Sequence, residues 1–165
     1  MNTIYFKGNP CHTCGTIPQI GSEAPCFHLT GVDLNQVQCM DFKNKRVVLN
    51  IFPSLDTEVC ARSVRKFNQE AAALKDTVVI CVSMDLPFAM QRFCTTNGIE
   101  NVITASAFRS PLFGQNFGTQ LVDGPLAGLL ARAVIVTDCE RKVIYTELVN
   151  EITEEPDYEA ALRTL

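Results

Sequence analysis

The sequence predicts an α/β sandwich, a central mixed sheet flanked by helices. Three observations carry that reading. Short, β-branched and nearly continuous apolar runs recur along the chain, as strands covered on both faces require. Segments with helical apolar spacing alternate with them. The 165 residues suit one domain, residues 1–165, and no repeat, low-complexity tract or Gly/Ser linker divides them.

The first forty residues, with many Gly, Pro and Thr, read as short strands and turns, with an N-terminal β-hairpin extension holding Cys11 and Cys14 and a following strand holding Cys26 and His28. Arg46 to Phe52 then reads as a strand, and Thr57 to Lys75 as a helix whose apolar positions are Val59, Val64, Phe67, Ala71 and Leu74. Thr77 to Asp85 is a second apolar strand. Pro87 suits the first turn of a helix running to Thr96, with Met90, Phe93 and Cys94 on one face and Asn97-Gly98 as its stop. Asn101 to Ser106 reads as a strand and Pro111 to Phe117 as a short helix. Arg132 to Asp138 and Lys142 to Val149 read as a hairpin joined through residues 138–141, and Glu154 to Leu165 as a closing helix. A β-α-β-α-β series followed by a hairpin and a helix is most simply a thioredoxin-like topology.

Charge excludes several functions. Fourteen basic and 18 acidic residues give a net charge of −4, and no basic block offers a footprint for nucleic acid or anionic lipid. No apolar run reaches the roughly 18–20 residues of a membrane span. The opening Met-Asn-Thr-Ile-Tyr-Phe-Lys-Gly lacks the pattern of a secretory signal, so a cytoplasmic location is expected. Eight cysteines, at 11, 14, 26, 39, 60, 81, 94 and 139, are the compositional oddity. Eight cysteines allow about 105 complete pairings, so count alone assigns no bond.

The chemistry concentrates in Phe52-Pro53-Ser54-Leu55-Asp56-Thr57-Glu58-Val59-Cys60. Pro53 ends a buried strand, and Asp56 or Thr57 is available to cap the helix that follows. Cys60 therefore falls in the first turn of that helix, beyond the carboxyl end of a central strand, where open α/β sheets bind ligands. Unpaired N–H groups and the helix dipole at such a place favour a thiolate over a thiol. Thr57, three residues earlier, either caps the helix or sets its hydroxyl beside the sulfur. Arg132 is a cation in an apolar run; it sits at a strand edge, or it partners a buried thiolate.

Along essentially its whole length the chain resembles the thiol peroxidase branch of the peroxiredoxins. The resemblance rests on F-K-G-N-P at Phe6, V-L-N-I-F-P-S-L-D-T-E-V-C at Val48 and S-V-R-K-F-N-Q-E-A-A at Ser63. It extends through D-L-P-F-A-M-Q-R-F-C at Asp85, D-G-P-L-A-G-L at Asp123 and A-R-A-V at Ala131. P-x-x-x-T-x-x-C marks peroxiredoxins generally, whereas R-K-F-N-Q-E-A-A and the second-helix cysteine are specific to this branch. The resemblance implies that Pro53, Thr57, Cys60 and Arg132 form a peroxide site with Cys60 as the peroxidatic cysteine. It makes Cys94 the resolving cysteine and Cys60–Cys94 a transient redox-active disulfide. It further implies hydroperoxide substrates, thioredoxin as reductant, a homodimer, and no metal or other cofactor.

Two rival readings compete with this one. A dithiol reductase of the same fold needs Cys-x-x-Cys where this chain has Thr57-Glu58-Val59-Cys60. A metal module built from Cys11, Cys14, Cys26, His12 and His28 fits no defensible ligand spacing. Cys81, inside an apolar strand, is expected to be core, and Cys39 and Cys139 are assigned no role. Phe52, Leu86 and residues from Phe113 to Leu121 are the expected walls of an apolar substrate pocket.

Overall fold

A computed structural model describes residues 1–165. Two short strands, β1 (Thr3–Phe6) and β2 (Asn9–His12), pair antiparallel as a separate N-terminal ribbon. The chain continues through β3 (His28–Gly31), β4 (Gln36–Gln38), a 3-10 turn (Cys39–Phe42), β5 (Arg46–Ile51) and α1 (Glu58–Ala71). Next come β6 (Thr77–Ser83), α2 (Pro87–Asn97), β7 (Ile103–Ser106) and α3 (Pro111–Asn116). The last elements are β8 (Ala133–Thr137), β9 (Val143–Leu148) and α4 (Tyr158–Leu162). The main sheet has seven strands in the order β4-β3-β7-β6-β5-β8-β9. β5, β6 and β7 run parallel, and β3, β8 and the two edge strands join antiparallel.

The central strands are buried on both faces, which explains their unbroken apolar character. Val48, Leu49, Ile51, Ile80, Val82, Val134, Ile135 and Val136 are all at most 1% exposed. One face carries Val48, Val79, Val134 and Val136 against Val64 and Phe67 of α1. The other carries Leu49, Ile51, Ile80 and Ile135 against Phe27, Phe113 and Phe117. A third, smaller cluster, built on Ile4, Cys11, Leu121, Ala131 and Ile152, seats the N-terminal ribbon.

Every predicted strand and helix is present, with ends moved by a few residues. The largest shifts are at the end of α1, which stops at Ala71 rather than Lys75, and at the C-terminus, where α4 begins at Tyr158 rather than Glu154. Pro156 disfavours helix in the residue before it, and Asp157 caps the helix by accepting from the Ala160 N–H. Gly118, at φ +65°, is required by a close approach: a Cβ there would collide with the Thr16 carbonyl carbon and oxygen. The N-terminal segment thus crosses directly over the end of α3.

Candidate active site

β5 ends at Ile51, and Phe52 and Pro53 remain buried as the chain turns outward. Asp85, just past β6, holds this turn in place. Its carboxylate accepts from Ser54 Oγ at 2.8 Å, the Leu55 N–H at 2.7 Å and Ser83 Oγ at 2.6 Å. The Asp85 carbonyl in turn accepts from Ser106 Oγ at 2.5 Å. Two neighbouring strands therefore brace the loop that precedes α1.

Thr57 is the N-cap of α1, with extended backbone. Its hydroxyl does not cap the helix. It donates to the Ser54 carbonyl at 3.0 Å and makes no hydrogen bond to Cys60. Cys60 follows in the first turn and is 0% exposed. Ser63 Oγ donates to the Cys60 carbonyl at 2.8 Å, and Asn50 Nδ2 from β5 donates to Ser63 Oγ at 3.2 Å.

Arg132, immediately before β8, is 2% exposed. Its Nε donates to the Ile152 carbonyl at 2.9 Å and its Nη2 to Cys60 Sγ at 3.3 Å. Nη1 is buried without a partner. A buried guanidinium lacking a counter-charge is costly, so the sulfur is its natural complement. This contact settles the choice left open at Arg132: the side chain reaches inward to the thiol.

A cavity of about 160 Å³ ends on this constellation. Pro53, Thr57 and Arg132 lie at its base, and Phe6, Leu126, Leu129 and Ile152 form apolar walls. Cys60 is not part of the lining. The walls differ from those expected from sequence. Phe52, Phe113, Phe117 and Leu121 are core residues no more than 4% exposed, while Leu86 is 51% exposed on the surface. The true walls come from β1, the 122–129 loop and the 150–153 segment, which only the tertiary fold unites. A larger depression of about 420 Å³ between α1 and α4, rimmed by Lys66, Glu70, Glu159 and Arg163, lies apart from the thiol.

Cys94 lies apart from the constellation. It sits in the last turn of α2, half-buried, with its sulfur 3.4 Å from Thr104 Oγ1 on β7. Cys60 and Cys94 are both free thiols and pack into the same apolar cluster. Cys81 is fully buried, and burial pushes its thiol up to about 12, which fits a core role.

The remaining cysteines correct one expectation. Cys39, expected to have no role, is disulfide-bonded to Cys26 across 5.5 Å between Cα atoms. The register of β3 on β4, with His28 opposite Gln38, brings these flanking positions together. Nothing in the linear spacing announces that pairing. The residues of the rival metal module lie in separate surroundings. Cys26 is bonded to Cys39, Cys11 is buried in the small N-terminal cluster, and Cys14 Sγ faces the Gly114 carbonyl at 3.4 Å. His28 meets Gln36 and His12 meets Asp123.

Asp85 was the site residue missed in the sequence. Its one available signal was a carboxylate directly after a buried strand, at the sheet edge where Cys60 lies.

Comparison with known proteins agrees with this geometry. The Redoxin family profile matches residues 19–162. A thiol peroxidase of Corynebacterium glutamicum is 54% identical over 165 residues, covering 100% of this chain and 99% of that protein. A thiol peroxidase of Mycobacterium bovis matches with the same identity and coverage. Among solved structures, a peroxiredoxin-like protein from Aquifex aeolicus superimposes with a TM-score of 0.93 at 41% identity, covering 99% of this chain and 96% of that one. A thiol peroxidase from Chromobacterium violaceum shares the fold, with a TM-score of 0.87 at 20% identity over 98% and 93% of the two chains. The chain belongs to the Redoxin family, among its peroxiredoxin-type thiol peroxidases.

Proposed function

We propose that Cys60 is the peroxidatic cysteine, Cys94 its resolving partner within the same chain, and thioredoxin the reductant that restores both. The observation that carries the reading is the buried Arg132–Cys60 contact of 3.3 Å beside a cavity that Arg132 also lines. The Cys60 thiolate attacks the terminal oxygen of a hydroperoxide and the O–O bond breaks. Cys60 becomes a sulfenic acid, and the other oxygen leaves with a proton as an alcohol or water. Arg132 Nη1 is the donor available to the charge that develops on the leaving oxygen. Thr57 and Pro53 shape the approach to the sulfur. Hydrogen peroxide fits such a base, and the apolar walls above it suit organic hydroperoxides.

Cys94 then attacks the sulfenic sulfur, water leaves, and a disulfide closes over residues 61–93. The Cys60 sulfur is held by Arg132 and the Cys94 sulfur meets Thr104 of β7, each cysteine within its own helix and each a free thiol. A disulfide needs Cα atoms within roughly 4.4–6.8 Å. The first turn of α1 or the end of α2 must therefore unwind in each cycle. A dithiol supplies two electrons and two protons to reopen the bond. The same reading includes a homodimer and a cytoplasmic location; no helix of the structure is long and apolar enough to cross a membrane.

A peroxidase assay coupled to thioredoxin tests the assignment. Cys60→Ser is expected to be inactive, and Cys94→Ser to lose thioredoxin-driven turnover while still consuming one equivalent of peroxide. Cys139→Ser should match the wild type, since Cys139 is exposed and remote from the cavity. Full activity in Cys60→Ser would end the proposal.

A further inference from the structure

Cys11-His12-Thr13-Cys14 was conspicuous in the sequence, and the peroxide site does not use it. In the structure it borders the loop that walls the cavity. β1 pairs with β2, so Phe6 on the cavity wall and His12 belong to the same N-terminal ribbon. His12 grips Asp123 twice: its backbone N–H donates to Oδ1 at 2.7 Å, and its Nδ1 lies 2.6 Å from Oδ2. The His12 carbonyl accepts from the Val122 N–H at 2.9 Å. Three consecutive polar contacts thus join ribbon and loop. The next residue, Gly124 at φ +72°, packs so close to Cys11 that an added Cβ would come within 3.2 Å of the Cys11 Cβ.

Beyond Gly124 the chain makes a closed turn. The Ala127 N–H meets the Gly124 carbonyl at 3.2 Å, and both the Leu121 and Gly128 N–H groups bond across the neck of the loop at 2.9 Å. Leu126 and Leu129, which face the cavity, sit on this turn. Few contacts other than the ribbon's hold the turn at its outer end, where residues 122–125 are exposed.

We infer that His12 and Asp123 are positioning residues that fix the Leu126–Leu129 wall and so set how tightly the cavity holds the organic group of a hydroperoxide. This rests on the peroxidase reading of the cavity. The logic is one of substrate size. Hydrogen peroxide has no organic group and needs only the base, at Thr57 and Arg132. A bulky hydroperoxide also buries its substituent against Leu126, Leu129, Phe6 and Ile152, and a loose loop forfeits part of that contact. The His12–Asp123 pair is partly exposed, with side-chain exposures of 35% and 48%, so its removal perturbs global stability little. Its effect is on where the loop sits. The bond from His12 holds the Asp123 carboxyl below the usual carboxylate range, in line with a persistent contact.

The test compares cumene hydroperoxide with hydrogen peroxide in steady-state assays recycled by thioredoxin. Asp123→Ala removes both side-chain contacts and is expected to raise KM for cumene hydroperoxide roughly tenfold. Its kcat, and both constants for hydrogen peroxide, should stay within about twofold. Asp123→Asn keeps an acceptor for the His12 N–H and should recover most of the loss. His12→Ala, which keeps its own backbone bond and removes an exposed ring, should give an intermediate KM. Equal losses for both substrates, or an unchanged KM for cumene hydroperoxide in Asp123→Ala and His12→Ala alike, would overturn the inference. An active Cys60→Ser variant would instead remove the peroxidase reading beneath it, so the two failures are distinguishable.

Discussion

Arg132 shows how one residue can serve stability and chemistry with the same atoms. Its burial between Ala131 and Ala133 is tolerable because the Ile152 carbonyl and the Cys60 sulfur accept two of its N–H groups. In the proposed reaction the third nitrogen, left without a partner, is the donor for the developing oxyanion. Arg132→Met keeps the length and the apolar stem and removes every donor. We expect its second-order rate with hydrogen peroxide, followed by stopped flow, to fall at least about 100-fold. A fall of less than about threefold would show that the guanidinium does not act on the leaving oxygen. Pro53, Thr57 and Cys60 were legible in the sequence because they share one strand–loop–helix junction, and that local order dictates their neighbourhood. Arg132 was ambiguous, since a lone cation in an apolar run does not name its partner. Asp85, Phe6 and Ile152 were not legible, because chain segments far apart in sequence bring them to the site.

At the scale of elements, α1 and α2 hold the two thiols in separate environments, and each helix carries its own fastening. The Ser63 hydroxyl and the Asn50 amide secure the turn after Cys60. Gly98, in left-handed conformation, ends α2 with its N–H on the Cys94 carbonyl, which the Ile99 N–H also reaches. In the proposed cycle, oxidation undoes one of these fastenings so that the sulfurs meet. Hydrogen exchange of the disulfide form, compared with the dithiol form, is expected to show faster exchange at residues 60–64, at 92–99, or at both. Identical protection in both forms would contradict the opening step. Periodicity identified these elements well because the central strands are uniformly apolar and the helices amphipathic. It could not indicate the Cys26–Cys39 bond, which depends on hairpin register.

For the whole molecule, the N-terminal ribbon is an addition that the main sheet does not need, yet it closes the cavity. Glu151 fastens it. Its carboxylate accepts from the Gly8 and Lys7 N–H groups at 3.0 and 3.1 Å, while β1 lies along residues 150–152. The Gly8 N–H leads in drawing the Glu151 carboxyl down from 4.5 to about 2, and Thr153 and Lys7 add to it against the opposing effect of burial. A depressed carboxyl stabilises the docked ribbon fully above the unfolded value of 4.5 and loses that contribution as pH falls towards 2. Proteolysis of residues 1–12 should therefore accelerate between pH 4.5 and 2.5 in the wild type. In Glu151→Gln the ribbon should already be susceptible at neutral pH. Equal resistance of both proteins across the range would show that Glu151 does not secure it.

The Cys26–Cys39 disulfide places a bystander bond in a molecule whose proposed cycle depends on a dithiol reductant. The two sulfurs are not equally accessible: Cys26 is exposed, while Cys39 is 6% exposed beneath the hairpin. An incoming thiolate can reach only Cys26, and attack there must expel Cys39 into a pocket of Phe27, Phe42 and Phe117 that one cation, Arg141, also lines. Arg141 is already engaged by Glu23 and the Ala24 carbonyl, so the departing sulfur meets a largely apolar enclosure, and exchange at this bond is expected to be slow. In the proposed cycle the Cys60–Cys94 bond forms in a segment unwound towards solvent, where neither thiolate is enclosed in this way. Burial of the leaving sulfur thus gives the reductant a kinetic preference between the two bonds without any recognition of sequence.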